Sequence, residues 1–209
     1  MNLRWPLSSR SDCARGIDST QAWALSGSNV PKNVEIKARV RNPDRIKVLA
    51  EALAGTPSQI IEQEDIFFIV PHGRLKLRIL SSIAAELIYY EREDQPGPRE
   101  SRYAISRTSE PDSLKAVLQE SLGIRGVVRK KRALYQLGQT RIHLDEVEGL
   151  GSFVELEVVM RTNQARTDGV QIARGFMAQL TIQDSDLVGQ AYIDLLLSGK
   201  GVVDLGHSA

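Results

Sequence analysis

The chain has 209 residues, 42% of them hydrophobic and 25% charged, which is enough apolar material for one large domain with an ordinary charged surface. A formal net charge of +1 excludes global basicity as a route to nucleic acid or an anionic membrane, so any anion selectivity has to be built locally. Cys13 is the single cysteine, which excludes an intramolecular disulfide and a multi-cysteine metal site, and no apolar run reaches the roughly 18–20 residues of a membrane-spanning helix.

Residues 1–31 are rich in Ser, Gly and Asp and lack a sustained period, so they are expected to form a flexible extension outside the fold. They hold no clean secretory signal, which makes the cytoplasm the expected location. The first strand is expected over 33–40, with Glu35, Lys37 and Arg39 on one face and Val34, Ile36, Ala38 and Val40 on the other. Asn42-Pro43-Asp44 reads as a helix start, with Asn as cap and Pro at the first helical position, and Gly55 ends that helix. Strands follow at 59–70 and 73–80, joined at Pro71-His72-Gly73, and at 85–93. Tyr103 and Ile105 mark a short strand, and 111–122 reads as a helix stopped by Gly123. Three more strands are expected near 125–135, 139–147 and 152–160 at hairpin spacing, then helices near 166–180 and 185–197. The domain is thus 32–199, followed by a 200–209 tail. The fold class is α+β: an eight-stranded antiparallel β-barrel, or tunnel, with flanking helices, since eight such strands are able to close around side chains or one small ligand.

The polar faces carry the functional signal. Arg74, Lys76 and Arg78 form one basic row and Lys130 and Arg132 another, while Arg141, His143 and Asp145 align, as do Glu155 and Glu157. The strand 85–93 is mixed, with Arg92 beside Glu86, Ile88 and Tyr90. One reading is a sheet with a wet charged face. The other places the charges inside and the helices on the apolar reverse faces. In that arrangement Glu35, Asp145, Glu155 and Glu157 suit a hard divalent cation such as Mg²⁺ or Mn²⁺. The basic side chains Lys37, Arg39, Arg74, Lys76, Arg78, Arg92, Lys130, Arg132 and Arg141 outnumber them and suit a triphosphate. His143, which shares a face with Asp145, is expected to make a structural hydrogen bond. Glu62, Glu64 and Asp65 are expected to be solvated, and Tyr89 and Tyr90 to pack.

These residues resemble the CYTH superfamily, the triphosphate tunnel metalloenzymes, which includes class IV adenylyl cyclases, thiamine triphosphatases and inorganic triphosphatases. Its E-x-E-x-K hallmark corresponds to Asn33-x-Glu35-x-Lys37. The resemblance continues through Gly73–Arg78, Leu87–Arg92, Lys130–Arg132, Arg141–Asp145 and Gly151–Glu157. It implies metal-facing Glu35, Asp145, Glu155 and Glu157, and a clamp of Lys37, Arg39, Lys76, Arg78, Arg92, Lys130 and Arg132. Glu35, Lys37, Glu155 and Glu157 are the expected catalytic residues. Asn33 departs from the hallmark, because an amide oxygen ligates without adding negative charge.

The expected activity is metal-dependent hydrolysis of a triphosphate, with inorganic triphosphate as the simple candidate because no base pocket is evident. A class IV adenylyl cyclase and a non-catalytic polyphosphate- or nucleotide-binding module remain as alternatives. The expected partner is a triphosphate or nucleoside triphosphate, with no nucleic acid and no membrane, and a homodimer is admitted as an assembly.

Overall fold

Alternation of apolar and charged side chains, repeated from strand to strand, is resolved by closing the sheet on itself. The computed structural model describes residues 31–199; the expected extension, apart from Pro31, and the expected 200–209 tail lie outside the described residues. The strands are β1 (Lys32–Arg39), β2 (Gln59–Phe68), β3 (Arg74–Ser81), β4 (Ala84–Arg92), β5 (Arg99–Thr108), β6 (Ile124–Leu137), β7 (Thr140–Val147) and β8 (Gly151–Val159). They form a closed barrel in the order β1-β5-β4-β3-β2-β6-β7-β8, and every neighbouring pair is antiparallel. The helices are α1 (Pro43–Ala54), α2 (Pro111–Leu122), α3 (Arg166–Gln179) and α4 (Tyr192–Leu197). Among the described residues, no helix is long and apolar enough to cross a membrane.

Where the outward faces of the strands are apolar, helices pack on them. Ile36, Ala38, Ile142, Val154 and Leu156 pack with Ile46 and Ala50 of α1 and Met177 of α3. Ile66, Phe68, Leu77 and Ala85 pack under Leu114, Leu118 and Leu122 of α2. The local signals for these helices are those the sequence supplies. The Asn42 side chain accepts from the Arg45 N–H at 3.0 Å, and Gly55 takes the left-handed conformation at φ 65° that ends α1. Gly169 is required for a different reason: a Cβ there would lie 2.5 Å from the Met160 sulfur and 2.7 Å from a Val34 methyl, so its absence lets α3 close on the barrel.

Two elements differ from expectation. The short strand at Tyr103 and Ile105 is a ten-residue strand, Arg99–Thr108, because it pairs with β4 along its length and with β1 at its start, which closes the barrel. The expected helix at 185–197 is instead a 3₁₀ turn (Asp184–Asp186), an extended strap through Ala191, and the short α4. Tertiary hydrogen bonds replace the helical ones. The Val188 N–H donates to the Lys37 carbonyl at 2.8 Å, and the carbonyls of Val188, Gly189 and Gln190 accept from Arg99, Arg92 and Lys37. The strap crosses one end of the barrel. Phe67, Val128, Val147 and Phe153 then meet Tyr192, Ile193 and Leu195 in an apolar layer that seals that end.

Leu156 is fully buried between the barrel and its helices. Leu156→Ala is expected to destabilise the protein by about 2–5 kcal/mol through lost burial and a residual cavity, read as a fall in the denaturant midpoint at unchanged slope.

Candidate active site

Every strand contributes to a single interior cavity of about 200 Å³. Seven cationic side chains line it: Lys37 from β1, Lys76 and Arg78 from β3, Arg92 from β4, Lys130 and Arg132 from β6, and Arg141 from β7. Four carboxylates face them: Glu35, Asp65, Glu155 and Glu157.

The barrel register generates most of the ion pairs, because directly opposed interior residues carry opposite charge. Asp65 opposes Arg78, which donates through Nε at 2.8 Å and Nη2 at 3.0 Å, while Lys76 donates to the same carboxylate at 2.7 Å. Asp145 opposes Arg132, which donates at 2.6 and 2.7 Å; Lys130 adds a bond at 2.8 Å and the Tyr192 hydroxyl one at 3.1 Å. Arg141 opposes Glu157 at 3.1 Å, and Lys37 opposes Glu155 at 3.4 Å. Glu35 meets Arg92 at 3.4 Å and Arg99 at 3.5 Å.

One interior rung breaks this rule. Glu35 of β1 lies directly opposite Glu157 of β8, like charge against like, and Asn33 stands one interior position further along β1. Asn33 is buried, and its side-chain oxygen lines the cavity with no hydrogen-bond partner. On β7 and β8, His143, Glu155 and Glu157 bring one ligand atom each to within 4.8 Å of one another. An acid pair, a nearby carboxylate, an unpartnered amide oxygen and an imidazole fit a divalent cation.

The family model for the CYTH domain matches residues 31–192. The chain belongs to the CYTH domain family. Among solved structures, the CYTH chain is similar to the PH1012 protein of Pyrococcus horikoshii, at 26% identity and a TM-score of 0.70 over 78% of this chain and 98% of that one. It also resembles in fold a putative adenylate cyclase of Vibrio parahaemolyticus, at 18% identity and a TM-score of 0.66 over 81% and 99% of the two chains. A third structure with this fold is a putative adenylyl cyclase from Hippeastrum described as having a dominant triphosphatase activity, at 18% identity and a TM-score of 0.56 over 84% and 100%. No curated protein matches the sequence.

The expected residues of this CYTH domain do not all stand in the cavity. Arg39 lies beyond it, with its guanidinium 5.0 Å from the Phe153 ring centre. Arg74 is outside it as well, bound by the carboxylates of Asp94 and Asp194 at the strap end. Asp145 has no exposed surface, and both its oxygens are taken by Lys130, Arg132 and Tyr192, so it holds the cations in place and is no part of the acid cluster that fits a metal. His143 lies 3.9 Å from Glu155 and 3.8 Å from Glu157, between the two carboxylates.

Asp65 is the larger correction. Expected in solvent, it is 3% exposed and anchors two cations. Its signal lay in the hairpin: a turn centred on Pro71-His72 sets 65 opposite 78. Arg99 was also missed, because it precedes the segment recognisable as a strand; it is buried and links Glu35 to the strap. Tyr90 packs against the apolar layer at the strap end, as expected, and also lines the cavity.

The electrostatics follow from burial and pairing. Burial lowers Lys37 to about 7 against the opposing pull of Glu155, and burial with the Arg78 charge lowers Lys76 to about 8. Burial raises Glu35 despite Arg92 and Arg99. For Asp145 burial acts upward too, but Lys130 and Arg132 reverse it and hold the group at about 2, below its ordinary 3.8. Asp65 is depressed in the same way by Lys76 and Arg78.

A depressed carboxyl stabilises the fold above its unfolded pKa, and that stability is lost as protons bind the native state at lower pH. Unfolding free energy is therefore expected to fall as pH drops from about 4 toward 2. In Asp145→Asn that acid slope should flatten, with a loss of about 3–5 kcal/mol at neutral pH from the uncompensated Lys130 and Arg132; urea titrations across pH read both effects.

Proposed function

We propose that this CYTH domain is a divalent-metal-dependent hydrolase of triphosphate compounds that holds its substrate in the barrel interior. The observation that carries this reading is the charge balance of the cavity: seven cations against four carboxylates, with Glu35 and Glu157 set against each other on one rung. An excess of buried positive charge calls for a compensating anion, and an extended one, because the cations come from five strands. A triphosphate carrying one divalent ion meets both demands.

Each basic group is already aimed. Arg78 reaches Asp65 through Nε and Nη2, and Arg132 reaches its two carboxylates through the same atoms, which leaves Nη1 of each for a phosphate oxygen. Lys76 and Lys130 add point charges beside these forks. Such preorganisation stabilises the charge that develops on the phosphoryl oxygens during transfer to water, without reorganisation at that moment. Glu35, Glu155 and Glu157 are the residues that would hold the metal, with Asn33 and His143 beside them, and a bound ion supplies Lewis-acid polarisation of the phosphoryl group. The sealed strap end leaves one end for entry.

The deciding measurement is product identity with Mg²⁺ or Mn²⁺ and inorganic triphosphate, thiamine triphosphate or ATP. Orthophosphate release is expected. Cyclic AMP with pyrophosphate would establish cyclisation, and binding without turnover in either metal would leave a binding module. Arg78→Ala and Glu155→Gln are each expected to lower turnover at least about tenfold, and a variant at wild-type rate removes its residue from the site.

Asn33→Glu would add a charge beside Glu35 and Glu157. It is expected to tighten Mn²⁺ binding in calorimetry at least about tenfold; unchanged or weaker affinity places residue 33 outside the metal shell.

A further inference from the structure

An imidazole on the acidic side of the barrel is buried without a partner. His143 of β7 shares the inward face with Arg141, which lines the cavity, and is 3% exposed. In the β7–β8 register it stands directly opposite Glu155, while Arg141 stands opposite Glu157. The His143 Nδ1 lies 3.9 Å from Glu155 Oε2 and 3.8 Å from Glu157 Oε1, both longer than a direct hydrogen bond, and no hydrogen-bond partner reaches it. A ring nitrogen buried in that state is costly, so the gap between the three side chains calls for a group that bonds to all of them.

The spacing is that of donors around one ion. Nitrogen and oxygen donors stand about 2.0–2.2 Å from Zn²⁺ or Mg²⁺, so two donors up to about 4.2 Å apart are able to share it. Both His143 contacts fall inside that limit. The neighbouring arginines leave room as well. Arg141 takes Glu157 through Oε2 at 3.1 Å and leaves Oε1 toward the imidazole, and Arg132 takes Glu155 through Oε2 at 2.6 Å. A carboxylate has lone pairs enough to accept from an arginine and ligate an ion together. A second neutral donor stands on β1: Asn33, 5% exposed, lines the cavity with its amide oxygen unpartnered, two residues before the Glu35 that opposes Glu157.

We infer that His143 is a metal ligand, its Nδ1 joining Glu155 and Glu157 on one divalent ion, so that the centre offers a nitrogen among its oxygen donors. This rests on the metal-dependent reading above and deepens it, moving the imidazole from beside the ion to a bond with it. Carboxylates supply the charge that any divalent ion needs. The imidazole adds little for Mg²⁺, which prefers oxygen, and much for Co²⁺ or Zn²⁺, for which it is a favoured ligand. His143 thereby sets how the centre discriminates among ions.

The test is calorimetric titration of the full chain with Co²⁺ and with Mg²⁺, with no phosphate compound present, in the native sequence and in His143→Gln. Co²⁺ affinity is expected to fall about tenfold or more in the variant, and Mg²⁺ affinity to stay within about twofold. His72, in the turn between β2 and β3, and His207, outside the described residues, are unaltered in that variant. Melting curves verify that it is folded. Proton spectra of the native chain with one equivalent of Co²⁺ need no variant: an exchangeable imidazole N–H shifted far outside the ordinary range is expected. Equal losses for the two ions, an unchanged Co²⁺ affinity in the folded variant, or no shifted imidazole signal overturns the inference and leaves the hydrolase reading to its own product assay. Binding of neither ion to the native chain overturns the inference and, with it, the metal centre on which that reading rests.

Discussion

Charged side chains inside a barrel persist only if opposite charges meet them across the ladder. Here the antiparallel register arranges this rung by rung. Asp65 faces Arg78, Asp145 faces Arg132, Glu157 faces Arg141 and Glu155 faces Lys37. A slip of one residue in any strand would send its whole charged row outward and its apolar row inward, so the hydrophobic packing of the helices and the polar interior enforce the same register. Breaking a single pair would leave a buried charge uncompensated, which costs far more than a surface pair contributes.

The proposed function rests on the exceptions to this alternation of charge. Glu35 stands directly against Glu157, each also meeting arginine, and the basic groups lining the cavity outnumber its carboxylates. Lys37 bridges the two regions: it contacts Glu155, lies 3.7 Å from the centre of the Tyr192 ring, and donates to the Gln190 carbonyl at 3.1 Å. The C-terminal strap is thereby tied to the same charges that line the cavity. Gly189 permits this, since a Cβ there would lie 2.8 Å from the Asp94 carbonyl oxygen. Fold closure and site assembly therefore share their hydrogen bonds.

Much of the barrel was legible because its signals are local. Alternation identified β1, β3, β7 and β8, while Asn42 with Pro43 and the glycines at 55 and 123 bounded two helices. Failures arose where tertiary contacts overrode local pattern. Val188 through Gln190 have helical spacing of apolar neighbours, yet their carbonyls satisfy Arg99, Arg92 and Lys37 instead of the next helical turn. Arg99 to Thr108 shows weak strand propensity beyond Tyr103 and Ile105, and becomes a strand because two neighbours pair with it.

The sequence by itself determined which residues share a strand face, because side chains alternate along extended backbone whatever surrounds it. It thereby determined that Lys76 and Arg78, Lys130 and Arg132, and Glu155 and Glu157 act as rows. Only the tertiary structure decided which rows face one another, that Asp65 anchors two cations, and that Asp145 is withdrawn from the cavity. Those outcomes depend on strand order and register around a closed barrel, which are set by contacts between residues far apart in the chain.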